Sequence, residues 1–109
     1  MMFAPLSIAV ARDDGITRLA VAGELDLASV PELEAALPAP APGETLVVDL
    51  RELAFIDSSG IHVLMRLDTD ARAQGWSLVV VRAGADVQRI LDLCHLGERV
   101  RLVDAPDEV

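Results

Sequence analysis

Two short apolar runs on either side of an amphipathic segment constrain the fold of this chain more than any other feature. Residues 46–50 and 76–81 are almost continuously apolar, which is typical of strands covered on both faces of a parallel sheet. Between them, Leu64 and Leu67 lie on one helical stripe, and Gly75 follows where a helix C-terminus favours glycine. A strand–helix–strand unit of this kind predicts an α/β fold with a largely parallel sheet.

The chain before this unit predicts a hairpin and a helix. Residues 6–10 alternate between apolar and small or polar side chains, and Asp14-Gly15, a pair typical of tight hairpins, leads into a second strand at residues 16–22. Ser29 then favours a helix start, because serine is a common N-cap. The hairpin adds an antiparallel pair of strands, so a mixed sheet is expected.

The chain after the unit predicts one more helix and one more strand. Val87, Leu91 and Cys94 form the apolar stripe of a helix that stops near Gly97, and residues 100–103 form a short strand. The predicted order is β-β-α-β-α-β-α-β, with the helices packed on the sheet. No internal repeat or linker interrupts the pattern, so residues 1–109 are predicted to form a single domain.

Charge and composition exclude several classes of function. The chain has 18 acidic and 9 basic residues and a formal net charge of −9, so nucleic acid is not an expected partner. No apolar run approaches the roughly 20 residues of a membrane span, and no direct membrane insertion is expected. With a single cysteine, Cys94, and no signal-like N-terminus, the chain is predicted to be cytoplasmic.

The segment at residues 57–60 is the most informative about chemistry. It places the hydroxyls of Ser58 and Ser59 between a buried strand and a helix that is predicted to begin at about Ile61. Functional groups gather at the carboxyl ends of strands, and a helix N-terminus favours an anion such as phosphate. The alternative on local grounds is that Asp57 or Ser58 only caps the helix and that Gly60 only permits close packing.

Two motifs together resemble the STAS domain of bacterial anti-sigma-factor antagonists. Residues 57–60 (Asp-Ser-Ser-Gly) precede an apolar helix, and residues 23–26 (Gly-Glu-Leu-Asp) end the second strand. The resemblance extends from about residue 6 to residue 103 and implies the STAS fold. It departs from the family pattern after residue 103, where the further helix of family members is predicted to be shortened or absent.

The resemblance implies a phosphoprotein that regulates transcription by partner switching. In the family, the serine after the aspartate is phosphorylated by a partner that is both anti-sigma factor and serine protein kinase, which assigns that role to Ser58. The unphosphorylated form binds this partner and frees sigma factor, and phosphorylation releases it. A serine phosphatase is a further partner that such a switch would use. The resemblance places Ser59, Asp57 and Asp26 beside Ser58, and the full set of predicted partner-binding residues is Asp26, Asp57, Ser59, Gly60, Ile61 and His62.

Other functions fit the residues less well. The segment at 57–60 lacks the Gly-x-Ser-x-Gly pattern of a hydrolase, and His62 has no visible orienting group. Cys94 and His95 have no second pair at zinc-site spacing. The chain is therefore not expected to be an enzyme or to hold a cofactor or metal. The open alternative within the STAS family is a subunit of a lipid-transport ABC complex or of a stress-signalling assembly.

Apolar side chains outside the buried stripes predict a docking surface. Leu93 and Leu96 lie off the stripe of the third helix, and Ile61 and Met65 are expected at the edge of the second. Such a patch beside Ser58 is what a protein partner would use.

Overall fold

The structure, a computed structural model, describes residues 4–109. In this part of the chain the predicted elements are all present, and one short strand is added. The elements are β1 (Ser7–Asp13), β2 (Ile16–Leu25), α1 (Val30–Ala36), β3 (Thr45–Asp49), β4 (Leu53–Ile56), α2 (Ser58–Gln74), β5 (Ser77–Val81), α3 (Ala85–Leu93) and β6 (Arg101–Val103). Two 3₁₀ turns, Leu96–Glu98 and Pro106–Glu108, lie on either side of β6.

The sheet is mixed, as predicted. Its main path is β1-β2-β3-β5-β6, in which β1 and β2 are antiparallel and all other pairs are parallel. Asp13 pairs with Ile16, so Asp14 and Gly15 alone form the turn, with φ values of 49° and 78°. Two positive φ angles in succession are what a tight hairpin requires, and the Asp-Gly pair supplies them at low cost.

The added strand β4 exists because β2 is longer than its neighbour. The first half of β2 pairs with β3, and its last residues, which extend past β3, pair with β4 from Gly23↔Leu53 to Leu25↔Ile56. The register shifts between Gly23 and Glu24. A four-residue strand that depends on a distant partner has no local pattern of its own, and the sequence therefore predicts only a turn there.

All three helices pack on one face of the sheet. Their buried residues share one core with the strand residues that point to that face, among them Leu46, Val48 and Val80. The opposite face carries a separate cluster of Val47, Val79, Val81 and Val103. After β6 the described residues form the 3₁₀ turn Pro106–Glu108. No helix in residues 4–109 is long and apolar enough to cross a membrane.

Candidate functional site

Helix α2 begins at Ser58, one turn earlier than predicted. Asp57 is its N-cap, and Oδ1 of Asp57 accepts hydrogen bonds from the backbone N–H groups of Ser59 at 2.9 Å and Gly60 at 3.3 Å. The backbone N–H of Ile61 donates to the Asp57 carbonyl oxygen at 3.1 Å. The Asp57 carboxylate thus satisfies two of the four N–H groups that a helix start leaves free, and the Ile61 bond is the first within the helix, so the helix extends back to Ser58.

The same carboxylate joins α2 to the loop between β2 and α1. Oδ2 of Asp57 accepts a hydrogen bond from the backbone N–H of Leu27 at 3.2 Å, and the Asp57 N–H donates to the Leu25 carbonyl at 3.2 Å. Both carboxylate oxygens of Asp57 are therefore occupied by backbone groups of this chain. Asp57 is therefore the helix cap that the sequence offered as the alternative to a functional role.

Asp26 shapes the loop in which it lies. Its Oδ1 accepts from the backbone N–H of Ser29 at 3.0 Å, and its own N–H donates to the Ser29 hydroxyl at 2.9 Å. The Ser29 hydroxyl also lies 2.9 Å from the Glu24 carbonyl oxygen. Ser29 precedes α1 but makes no side-chain cap, because its hydroxyl is used inside the loop.

Ser58 differs from its neighbours in being both exposed and free. Its side chain makes no hydrogen bond within residues 4–109, whereas Ser59 is half-buried and Gly60 is buried. Ser58 is thus the hydroxyl of this segment that a modifying enzyme would reach.

Two of the predicted partner-binding residues lie below the surface. Gly60 packs so closely on β2 and β4 that a Cβ atom there would lie 2.8 Å from side-chain atoms of both Leu25 and Ile56. Ile61 is 6% exposed and belongs to the core, so the expectation that it is exposed is wrong. Both residues face the sheet because the cap at Asp57 determines where α2 begins, and this start determines which side chains of the helix point to the sheet.

Of the two leucines near α3 that the sequence predicts to be exposed, one is exposed and the other is buried. Leu93 is 74% exposed, whereas Leu96 is completely buried. The helix ends at Leu93, and a left-handed residue, His95, redirects the chain so that Leu96 points into the core. Met65 is half-buried and packs against the core.

The structure adds Leu27 to the candidate site. Its side chain is 74% exposed, and the hydrogen bond from its N–H to Asp57 holds it beside the start of α2. His62 is exposed one turn along α2 from Ser58. In the sequence, Leu27 is only an apolar residue that follows the polar end of a strand. This pattern is too common to have identified Leu27 as a site residue.

The geometry does not assemble a catalytic or metal-binding group. In the part of the chain that the structure describes, His62 makes no hydrogen bond to Ser58 or Ser59, and no three His, Cys, Asp or Glu side chains cluster as metal ligands would. The arrangement is instead an exposed hydroxyl framed by a half-buried carboxylate and an exposed leucine.

Comparison with known proteins identifies the family. A family model described as "Mlab, STAS domain" matches residues 8–104. The chain belongs to the STAS domain family. Its members are non-enzymatic domains, and the observed α/β fold with a mixed sheet is theirs.

Solved structures of STAS proteins share this fold. An anti-sigma factor antagonist from Mycobacterium paratuberculosis is 28% identical, with a TM-score of 0.78, over 98% of this chain and 94% of that one. The anti-sigma factor antagonist SpoIIAA in its unphosphorylated form is 15% identical, with a TM-score of 0.65, over 94% of this chain and 92% of that one. At 15% identity the second likeness concerns the fold alone.

A curated relative is longer than the chain. Osmosensory protein A of Mycobacterium tuberculosis (strain ATCC 25618 / H37Rv) is 32% identical over 83 residues, which are 75% of this chain and 52% of the relative. The chain therefore spans about half the length of this relative.

Proposed function

We propose that this STAS domain is a cytoplasmic anti-sigma-factor antagonist and that phosphorylation of Ser58 switches off its binding to an anti-sigma factor. The observation that carries the proposal is the exposed, unbonded hydroxyl of Ser58 at the first position of α2. The likeness to the antagonist from M. paratuberculosis, which extends over nearly all of both chains, supports the choice of partner class.

The cap at Asp57 limits what a phosphate on Ser58 would do to the fold. A phosphate adds about 1.5 to 2 negative charges, and a free helix N-terminus would bind it. Here the N–H groups of Ser59 and Gly60 already donate to Asp57. Attraction to the helix dipole is thus opposed by repulsion from the Asp57 carboxylate, and the net effect on stability should be small.

The effect on a partner would be larger. Leu27, Ser58 and His62 are exposed on neighbouring parts of one surface. An apolar side chain such as Leu27 suits the centre of a docking patch. A phosphate placed beside it would have to be desolvated without a counter-charge, which costs several kcal/mol. Local repulsion is sufficient for release, and no change of fold is needed.

The test uses the host's anti-sigma factors of the serine-kinase type as purified partners. Calorimetry should find tight binding for the wild type and Ser58→Ala, and at least about a hundredfold weaker binding for Ser58→Asp and for the phosphoprotein. Thr69→Asp is the matched control, because Thr69 is exposed and lies three turns along α2. After incubation with kinase and ATP, fragment masses should place one phosphate on Ser58.

Two results would contradict the proposal. If the wild type, both Ser58 variants and the phosphoprotein bind every tested partner with equal affinity, phosphorylation of Ser58 does not control binding. A phosphate found on Ser59 or Thr69 alone would place the switch elsewhere. Thermal melts of the same proteins should agree within a few degrees, and a large loss in the Asp variant would show that the modification acts through unfolding.

A second candidate function is a STAS module in a stress-signalling or transport assembly. It is favoured by the name of the curated relative, an osmosensory protein, and by the family model, whose description names Mlab and not an antagonist. The two functions differ in one measurable step. An antagonist added to an anti-sigma–sigma complex should release sigma factor, whereas a module of another assembly should leave that complex intact.

A further inference from the structure

A cleft of about 560 Å³ lies at the end of α2 opposite to Ser58. It exists because β6 begins late. Arg101, the first residue of β6, pairs with Val79, so Ser77 and Leu78 of β5 have no partner on that side. The gap opens between the last turns of α2 and the first residues of the parallel strands, and its volume is typical of small-molecule sites.

One wall of the cleft is a buried carboxylate held by two arginines. Asp68 is 5% exposed, and its oxygens lie 3.2 Å from Nε of Arg72 and 3.4 Å from Nη2 of Arg99. Nη2 of Arg72 also donates to the Arg99 carbonyl at 2.9 Å. These contacts orient both guanidinium groups. Of these three side chains, Asp68 and Arg72 line the cleft and Arg99 does not, so the charges of the group balance in the lining, but Arg72 keeps N–H groups that are not bonded to Asp68.

A second cation faces the cleft from β6. Nη2 of Arg101 donates to the backbone carbonyl of Glu108 at 2.9 Å, and within residues 4–109 Arg101 makes no ion pair with a carboxylate side chain. The remaining N–H groups of its fork are free to bind a ligand. This local excess of positive charge stands out in a chain with a formal net charge of −9.

Most of the remaining lining is apolar, although Thr45 and Ser77 add hydroxyl groups and Val109 also borders the cleft. Trp76, which is 6% exposed, borders the cleft together with Ala71, Leu78 and Val79. Such a lining matches the apolar body of a ligand, while the arginines match its charge. Arginine binds carboxylates through two parallel hydrogen bonds, which fixes the orientation of the bound group.

We propose that this cleft binds a small organic anion that combines an aromatic ring with a carboxylate. The ring would lie against Trp76 and Leu78, and the carboxylate would bind Arg101 and the free N–H groups of Arg72. The proposal does not depend on the function of Ser58, since the two sites lie at opposite ends of α2.

Trp76 is the only tryptophan in the chain, and its indole N–H gives one assignable NMR signal that reports on the cleft. The probe is 2-naphthoate, with 2-naphthamide as its uncharged analogue and acetate as an anion without a ring. Naphthoate should shift the indole signal saturably, and both analogues should bind at least about tenfold more weakly, as expected when a charged hydrogen bond or the ring contact is lost.

Arg101→Gln should weaken naphthoate binding at least about tenfold, and Arg101→Lys, which keeps the charge but not the fork, should fall between that variant and the wild type. Arg89→Gln is the matched control, because Arg89 is an exposed arginine of α3 outside the cleft. Full two-dimensional spectra show that each variant is folded. The absence of a saturable shift, or equal affinities of Arg101→Gln and Arg89→Gln, would overturn the proposal.

Discussion

The two ends of α2 use charge in opposite ways. At its N-terminus the Asp57 carboxylate accepts three backbone N–H groups. At its C-terminus Arg72 and Arg99 share the single carboxylate of Asp68. Both arrangements complement the helix dipole, but at the first end both Asp57 oxygens already bind backbone N–H groups, whereas the second end leaves N–H donors of the arginines free. The N-terminal end is thus a preformed surface suited to a protein, and the C-terminal end is suited to an anionic ligand.

The two ends also differ in how tightly the backbone is packed. Gly23, near the Ser58 end, has φ +88°, and a Cβ atom there would lie 2.2 Å from the Pro5 carbonyl oxygen. Gly43, near the cleft end, has φ +85° and nothing within 4 Å of the same position. Its N–H donates to the Gly75 carbonyl at 2.8 Å, beside the last turn of α2.

The largest predicted effect follows from this pair. Gly43→Ala should lower the free energy of unfolding by about 1 kcal/mol, the cost of a left-handed conformation for alanine. Gly23→Ala should cost about 3 kcal/mol, because the same strain is joined by a clash with backbone that cannot rotate away. Urea unfolding of both variants measures the difference. Equal losses would mean that the segment around Pro5 moves freely and that the Ser58 end is not the more tightly packed.

A smaller effect is predicted for the cap. Asp57→Ala should lower the free energy of unfolding by about 2 kcal/mol, since it removes the cap and leaves the N–H of Leu27 unbonded. Asp57→Asn should cost about half as much, because its amide oxygen still caps α2 and only the bond to Leu27 is lost. Urea unfolding decides between these values.

The same two variants separate folding from binding. If Asp57 acts only as the junction between α2 and the Leu27 loop, partner affinity should fall in parallel with stability in the two variants. An Asn variant that is nearly as stable as the wild type but no longer binds would instead place the Asp57 charge in the interface. That outcome would weaken the view that the N-terminal end of α2 is a preformed surface.

Local signals explain which parts of this molecule the sequence predicts. Asp14-Gly15 predicts the hairpin because its two positive φ angles are a property of those residues themselves. Ser58 is singled out because its motif lies within one short segment and resembles that of the STAS family, and its role as a phosphorylation site stays a prediction. Whether the Ile61 side chain is buried depends on where the helix begins. The sequence pattern alone places that start one turn too late, and the burial of Ile61 is therefore not predicted.

The cleft shows the limit of the same reasoning. Arg72, Trp76 and Arg101 come from α2, from the residue before β5 and from β6, and they meet only because β6 begins late in the sheet. No local sequence pattern indicates that β6 starts later than β5 in the sheet. In the sequence, Trp76 is simply the start of an apolar run, and the three arginines near the cleft are scattered charges in an acidic chain.

The smallest predicted effect concerns Asp49, which lies at the end of β3, on the same edge of the sheet as Ser58. The backbone N–H, Nε and Nη2 of Arg51 donate to its carboxylate at 2.8 to 3.2 Å. Partial burial alone would raise the pKa of Asp49, but the hydrogen bonds and charge of Arg51 together lower it from its ordinary value of 3.8. The ionised form is therefore favoured by folding.

Because the pKa of Asp49 is lower in the folded chain than in the unfolded one, the pair stabilises the fold above pH 3.8, and this contribution disappears as the pH falls through the folded pKa. Arg51→Gln should lower the melting temperature at neutral pH by no more than about two degrees, since the Arg51 side chain is half exposed and an exposed ion pair contributes little. In acid the difference from the wild type should shrink, while Arg89→Gln should show none at either pH. A difference that persists unchanged in acid would mean that Arg51 acts through packing and not through the Asp49 charge. The Ser58 end would then hold its carboxylates through backbone hydrogen bonds alone, and only the cleft end would depend on arginine.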